Sequence, residues 1–389
     1  MDKKKFKIAY VTYANIPSKH AHSIHIMEMC SSLGKYVDLT LVIPFFASHH
    51  VYPSDIFEYY GVKKTFKIKR IYVLDFLFFT RYLHRLASLL FHLHDFLFSF
   101  ISLFYLLIVK ERYNLIYTRD PHVAFVFSFF KPVIYETHAF TKSSFYHILE
   151  RNMLKRILYI VYLTPYLKYL YEIYYKFNTP SSVIHDAVNL KKVSNIKPKK
   201  LPKDKPIIGY IGSVETLGSK KGIEIILDAA KEIKEAIFYI IGFKTDDEYK
   251  RYKALVEQRN LKNVILLKRL PHKEAISYLK SFDIALLPLP RTTFNAYFTS
   301  PMKLFEYMAA KKCIIASDLP SIRAIISDNE CLFFKPGDSK DLANKIRYAL
   351  KHKKECNKKA QNAYKKVMKN YTWDNRARKV LEFLKFWAN

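Results

Sequence analysis

Glycine is scarce in this chain, with 8 residues in 389. A sequence so short of glycine keeps it where the backbone must adopt a conformation other residues avoid. Gly209, Gly212, Gly218 and Gly222 all fall in the one stretch IGYIGSVETLGSKKG, which matches neither the GxGxxG fingerprint nor a P-loop. Cysteine is equally sparse. Cys30, Cys313, Cys331 and Cys356 are scattered with no CxxC pair, which excludes a disulfide framework or zinc knuckle and makes a reducing cytoplasm the default location. Acidic residues are few as well: 34 Asp and Glu against 65 Lys and Arg leave a formal net charge of +31. That favours anionic partners, whether phosphate-bearing ligands, nucleic acid or an acidic lipid surface. The start, MDKKKFKIAYVTYANIPS, has a basic lead, but its apolar run is short and lacks a small-residue cleavage site, so Lys7 to Tyr13 is expected to be a buried strand.

What is present is hydrophobic, at 50% of residues, in a chain long enough for two cores. Short apolar runs alternate with longer helical stretches. KIAYVTY, VDLTLVI, KIKRIYVL, LIYT, PVIYE and LYIVYL lie in the first half; PIIGYIG, AIFYIIG, NVILLK, DIALLP, CIIAS and CLFF lie in the second. Unbroken apolar strands separated by helices indicate parallel sheets covered on both faces. NIKPKKLPKDKP, 195–206, is charged and punctuated by proline, and reads as a linker. The expectation is α/β: two doubly wound, Rossmann-like domains, 1–194 and 207–370, joined by 195–206.

One helix stands apart. From Arg81 to Ser102, polar residues recur at Arg81, Arg85, Ser88, His92, Asp95, Ser99 and Ser102, in steps of four and three. That is a narrow polar stripe on an otherwise apolar helix. FLFSFISLFYLLIV, 96–109, is shorter than the roughly 20 apolar residues that span a bilayer. Two readings stand: a helix over 81–109 buried between sheet and neighbours, or one dipping into a membrane interface beside the basic ERNMLKRILY.

Chemistry concentrates in two loops of the second half. In open α/β sheets, ligands bind beyond the C-terminal ends of the strands. After PIIGYIG come glycines, then Lys220-Lys221-Gly222, then the helix IEIILDAAKEI. Glycine lets backbone N–H groups approach phosphate, a helix N-terminus favours anions, and lysine adds charge. The second loop is SPMKLFEYMAAKKCIIASD. Ser300 and Pro301 read as N-cap and first helical residue. Lys303 there opposes the helix dipole unless both attract the same anion. Glu306, one turn on, accepts hydrogen bonds only, which suits ribose hydroxyls. Together the loops imply a ribonucleoside diphosphate.

GYIGSVETLGSKKGIEIILDAAKEI, NVILLKRLPHKEAISYLKSFDIALLP, SPMKLFEYMAAKKCIIASDLPSIRAII and YTWDNRARKVLEFL, in this order, resemble the donor domain of glycosyltransferase family 4. IPSKHAHSIHIMEMCSSL, LIYTRD, VIYETHAF and VIHDAVNL fall where that family has its acceptor domain. The resemblance implies a GT-B architecture, with two domains facing across a cleft and a C-terminal helix, 371–389, returning to the first. It implies that Lys221 meets the donor diphosphate, with Gly212, Ser213, Ser300 and Lys303 around it, and that Glu306 holds the ribose. The first of the family's two glutamates would fall at Phe298, and the basic residue that often follows the first glycine is here Ser213. His138 matches the family histidine lining the sugar pocket, so His138 and Lys221 are the expected catalytic residues. His20 and His22 are read as an acceptor-side loop rather than, with His25, a metal site.

The resulting expectation is a retaining, hexosyltransferase-like enzyme that needs no metal or other cofactor. It would take a nucleotide sugar and a glycan or lipid-linked acceptor of envelope polysaccharide assembly, at the inner face of the membrane. A sugar-nucleotide epimerase or hydrolase of the same architecture is one alternative. A nucleic-acid-binding protein is another, opposed by Phe and Tyr that lie in apolar runs rather than among Lys and Arg.

Overall fold

The computed structural model describes residues 6–45, 55–74, 86–109, 112–141, 143–202, 204–216 and 219–387. Gly218 and the expected helix start at Arg81 and Arg85 lie outside them. The chain divides into two units, Met1–Ile184 with Trp373–Asn389, and His185–Thr372.

The first unit is built on seven parallel strands: β1 Lys7–Val11, β2 Asp38–Phe45, β3 Lys67–Tyr72, β4 Leu115–Thr118, β5 Val133–Thr137, β6 Tyr159–Tyr162 and β7 Ser181–Val183. Their order is β3-β2-β1-β4-β5-β6-β7. The strand order reverses between β1 and β4, which makes that crevice the topological switch point. The central strands are buried throughout, as unbroken apolar runs should be when helices cover both faces. β3 departs from expectation. It is an edge strand whose Lys67, Lys69 and Arg70 face outward, charges of the kind that blunt an open edge.

The second unit repeats the plan. β8 Ile207–Ile211, β11 Ile237–Phe243, β12 Val264–Lys268, β13 Ile284–Leu287, β14 Cys313–Ser317 and β15 Leu332–Phe334 form a parallel sheet, with β9 Glu215–Thr216 and β10 Ser219–Lys220 as a small hairpin. The order β12-β11-β8-β13-β14-β15 puts the switch point between β8 and β13. Alternate residues of β8 serve opposite layers. Ile207 joins Leu304, Phe305 and Met308 on one face; Ile208 and Tyr210 join Ile226, Leu227 and Ile346 on the other. The four cysteines are buried and free.

Segment 195–206 is not an independent linker; it is held to the second unit. The Lys199 N–H donates to the Ser277 carbonyl at 2.9 Å, Ser281 Oγ to the Lys199 carbonyl at 2.6 Å, and Lys280 Nζ to the Ile196 carbonyl at 2.5 Å. Its charge and prolines mark a surface crossing with its backbone partly satisfied by neighbours. The final helix, Trp373–Trp387, is fixed in the first unit by Arg376, whose guanidinium lies 2.9 Å from Glu136.

The helix Ala87–Ile108 is turned opposite to a typical surface helix. Ser99 and Ser102, members of its polar stripe, are buried with Phe98 and Leu103, while Phe91, Leu93, Phe100, Phe104 and Leu107 face out and Ile108 is 81% exposed. Among the described residues it is the one helix long and apolar enough to cross a membrane by length and composition. Its polar stripe instead meets the fold: Asp95 lies 3.4 Å from His122, and His92 is 3.1 Å from the same ring.

Candidate active site

The two loops singled out by sequence meet at the switch point of the second unit. Gly222, at φ +79°, precedes the helix Ile223–Glu232, and a Cβ there would sit 1.9 Å from the Pro288 carbonyl oxygen just past β13. A side chain at Gly222 would push those loops apart. Gly212, just past β8 at φ +141°, lies directly under the other loop: an added Cβ would be 2.6 Å from Lys303 Nζ. Lys303 stands in the first turn of the helix Met302–Ala309. Neither helix has a side-chain N-cap, so two sets of N-terminal N–H groups flank the crevice.

Lys303 Nζ donates to Tyr210 Oη at 2.6 Å, and Tyr210 passes a 2.7 Å bond to the Ser213 carbonyl. Burial, then the charge of Lys221, pushes the Lys303 amine down to about 7, with Glu306 opposing and Lys244 adding to the fall. Lys221 is lowered too, by burial and Lys244. Neither Lys221 nor Lys303 forms an ion pair with a carboxylate among the described residues. Lys220, by contrast, is exposed and spends its charge on Glu224 at 2.8 Å.

A lysine held near 7 answers an arriving anion by taking up a proton. Binding of a diphosphate between the two loops at pH 8 is therefore expected to consume about one proton per site, falling toward none at pH 5.5, where Lys303 is already charged. Calorimetry in buffers of differing ionisation enthalpy reads this directly. Proton uptake that is absent at pH 8 would mean that Lys303 does not meet the anion.

Three expectations need revision or completion. Ser300 is not the N-cap: the helix begins at Met302 with Pro301 as cap, because the buried Ser300 hydroxyl accepts the Asp186 N–H at 2.9 Å. Glu306 is on the same helix as Lys303, but its partner is His272 at 2.8 Å. Phe298 closes a π-helical turn, Phe294–Phe298, and is buried.

His138 belongs to a different cluster, in the first unit, past β5. There Glu136, wholly buried, is met by Arg376 at 2.9 Å, His25 at 3.0 Å, His138 at 2.5 Å and the Tyr117 hydroxyl. Burial alone would raise the Glu136 carboxyl; Arg376, His25 and these bonds outweigh it and hold it well below the usual range. His138 is driven down to about 4, by burial first and then Arg119. His25, Glu136 and His138 bring three potential metal-ligand atoms within 4.8 Å of one another. Arg376 sits on the same Glu136 oxygen and already supplies the balancing cation. His20 precedes the helix Ala21–Leu33 as its N-cap, exposed and without a side-chain capping bond, and His22 lies in the first turn.

Sequence reasoning passed over Lys244, Tyr210, Arg119 and the Glu136–Arg376 pair. Lys244 follows β11 at the ligand-facing end, where the strand-end rule could have found it. Glu136, a carboxylate inside the apolar run PVIYE, signalled a buried partner, but nothing local pointed to Arg376, 240 positions later.

Two doubly wound parallel domains define the GT-B class of fold. Sucrose-phosphate synthase from Thermosynechococcus elongatus aligns over 99% of this chain and 100% of its own, with a TM-score of 0.75 and 16% identity. Anabaena HepE, in complex with UDP and glucose, aligns over 98% and 99%, with a TM-score of 0.68 and 13% identity. Residues 192–366, most of the second unit, match the model of glycosyl transferases group 1. TuaH of Bacillus subtilis (strain 168), named for glycosyl transfer in teichuronic acid biosynthesis, is 29% identical over 116 residues. That match covers 30% of this chain and 27% of TuaH, so the chain spans about a quarter of that relative's length.

Proposed function

We propose that the protein is a retaining glycosyltransferase that moves a sugar from a nucleotide diphosphate sugar to an acceptor of cell-envelope glycan assembly. The observation that carries this is the pair of half-buried lysines, Lys221 and Lys303, without carboxylate partners among the described residues and beside two uncapped helix N-termini. Half-buried cations without counter-ions are costly, and a diphosphate relieves both. Lys221 and Lys303 would stabilise the departing diphosphate, the place where charge develops. They and the helix dipoles supply the positive charge, so the reading requires no metal or other cofactor. Glu306 would accept from ribose hydroxyls. His138, held neutral, is proposed to contact the transferred sugar, and the anomeric configuration would be kept by same-face substitution. HepE, in complex with UDP and glucose, and TuaH, named for teichuronic acid biosynthesis, support the substrate classes.

Incubation with UDP-, GDP- and ADP-sugars and a panel of acceptors, followed by proton NMR of the anomeric coupling, tests this. A glycoside with the donor's configuration is expected. Free or rearranged sugar with no acceptor product would point to a hydrolase or epimerase instead.

The protein is further proposed to sit at the inner face of the membrane. The outward apolar face of Ala87–Ile108 is joined by exposed Phe129, Phe130 and Ile148, and the nearby Arg151, Lys155 and Arg156 are exposed too. Arg156 lies 4.3 Å over the Phe129 ring. An apolar face bordered by cations fits anionic lipid, each cation contributing about 1 kcal/mol near the surface. Co-sedimentation with anionic vesicles at low salt is expected, and Phe104→Asp with Ile108→Asp should weaken it at least about tenfold. Because both side chains are exposed, the melting temperature should hold. A folded chain that ignores anionic vesicles would contradict the proposal.

A further inference from the structure

The first unit has its own switch point, between β1 and β4, and polar atoms with nothing to bind collect there. Tyr10 of β1 stands opposite Tyr117 of β4, and Thr118 opposite Tyr135 of β5. Arg119 therefore leaves the sheet at the C-terminal end of β4, between the ends of β1 and β5. The helix Ala21–Leu33, which follows β1, has no side-chain cap and no acid in its first turn. Tyr10 Oη, His22 Nε2 and Arg119 Nη1 are all buried without a hydrogen-bond partner among the described residues. Tyr10 is fully buried, so its hydroxyl forfeits water as well. All three atoms can donate.

The nearby carboxylates are occupied. Glu136 is taken by Arg376, His25 and His138, and Asp120 accepts the Tyr13 N–H at 2.6 Å. The Arg119 charge is close enough to help burial press His22 down to about 2 and to lower His138. A half-buried guanidinium, an uncapped helix N-terminus and unfilled donors around one crevice form a receptor for an oxyanion.

We infer that Arg119, His22 and Tyr10 form a subsite for the carboxylate or phosphate of an acidic acceptor. The geometry belongs to the first unit alone; the word acceptor rests on the proposed glycosyl transfer. Arg119 would bind the oxyanion through its planar fork, His22 and Tyr10 would donate to it, and the site would reject a neutral sugar by leaving these groups unpaired.

The test uses the full chain with 15N-labelled histidine and UDP present, and follows the His22 ring nitrogens. Methyl glucuronide and glucose 6-phosphate are compared with methyl glucoside. The acidic sugars are expected to shift His22 and the glucoside to leave it in place; whichever of the two shifts it more identifies the oxyanion. Arg119→Gln should weaken the acidic sugars at least about tenfold, Arg119→Lys should recover part, and UDP affinity and melting temperature should not change. Equal shifts from the neutral glucoside would overturn the subsite. Loss of UDP affinity in Arg119→Gln would also overturn it, by assigning the arginine to the donor. Failure of the unaltered chain to bind UDP would fall on the donor reading, while the His22 shifts would still decide the subsite.

Discussion

Lys303→Ala is expected to lower turnover of the nucleotide sugar by about 10²–10³-fold, the usual loss when one preorganised donor to developing charge is removed. Lys303 Nζ rests against Gly212 and on Tyr210, at the crevice between β8 and β13. Stability should move the other way or not at all. A lysine whose charge is disfavoured by burial contributes little to the fold in its charged form. Activity lost at an unchanged melting temperature therefore separates a catalytic lysine from a structural one. A variant that keeps turnover within about threefold would remove Lys303 from the chemistry.

Glu136→Ala is expected to destabilise the first unit by about 3–5 kcal/mol, the cost of leaving a buried charge without its partner. Arg376 is 1% exposed and Glu136 0%, so water cannot rescue the stranded guanidinium. Arg376→Met added to Glu136→Ala should recover a large part, since two apolar side chains can pack where an ion pair stood. The pH dependence follows from the direction of the shift. The Glu136 carboxyl is depressed in the fold, so its contribution is present above the unfolded value near 4.5 and is lost as pH falls through the lower folded value. His138, lowered to about 4, adds a loss that begins near 6.5, where the unfolded histidine takes up a proton that the folded one refuses. Denaturant titration from pH 8 to 4 should show stability falling as pH drops. Glu136→Ala should remove the lower part of that fall.

The sheets were largely legible because strands buried on both faces are unbroken apolar runs; all twelve runs became strands, although β3 and β12, at sheet edges, are partly exposed. The short β7 and the β9–β10 hairpin were not, having too few residues to show a period. Within the site, Lys221 and Gly222 were readable from their place between strand and helix. Ser300 was misread because a serine before proline carries the same local signal whether it caps a helix or bonds elsewhere. Its partner, the Asp186 N–H, lies 114 positions away. The stripe of the helix Ala87–Ile108 was visible in sequence, but its inward orientation was not. Periodicity finds a face without saying which side the rest of the fold occupies.

We propose that the crevice between β8 and β13 holds a nucleoside diphosphate. Calorimetric titration of the whole chain with UDP, GDP and ADP tests it most directly. At least one should bind, and Lys221→Ala and Glu306→Ala should each weaken that nucleotide by about 1.5–3 kcal/mol, the range for a hydrogen bond to a charged group. If none of the three binds at millimolar concentration, or if both variants bind as tightly as the unaltered chain, the site has been misassigned.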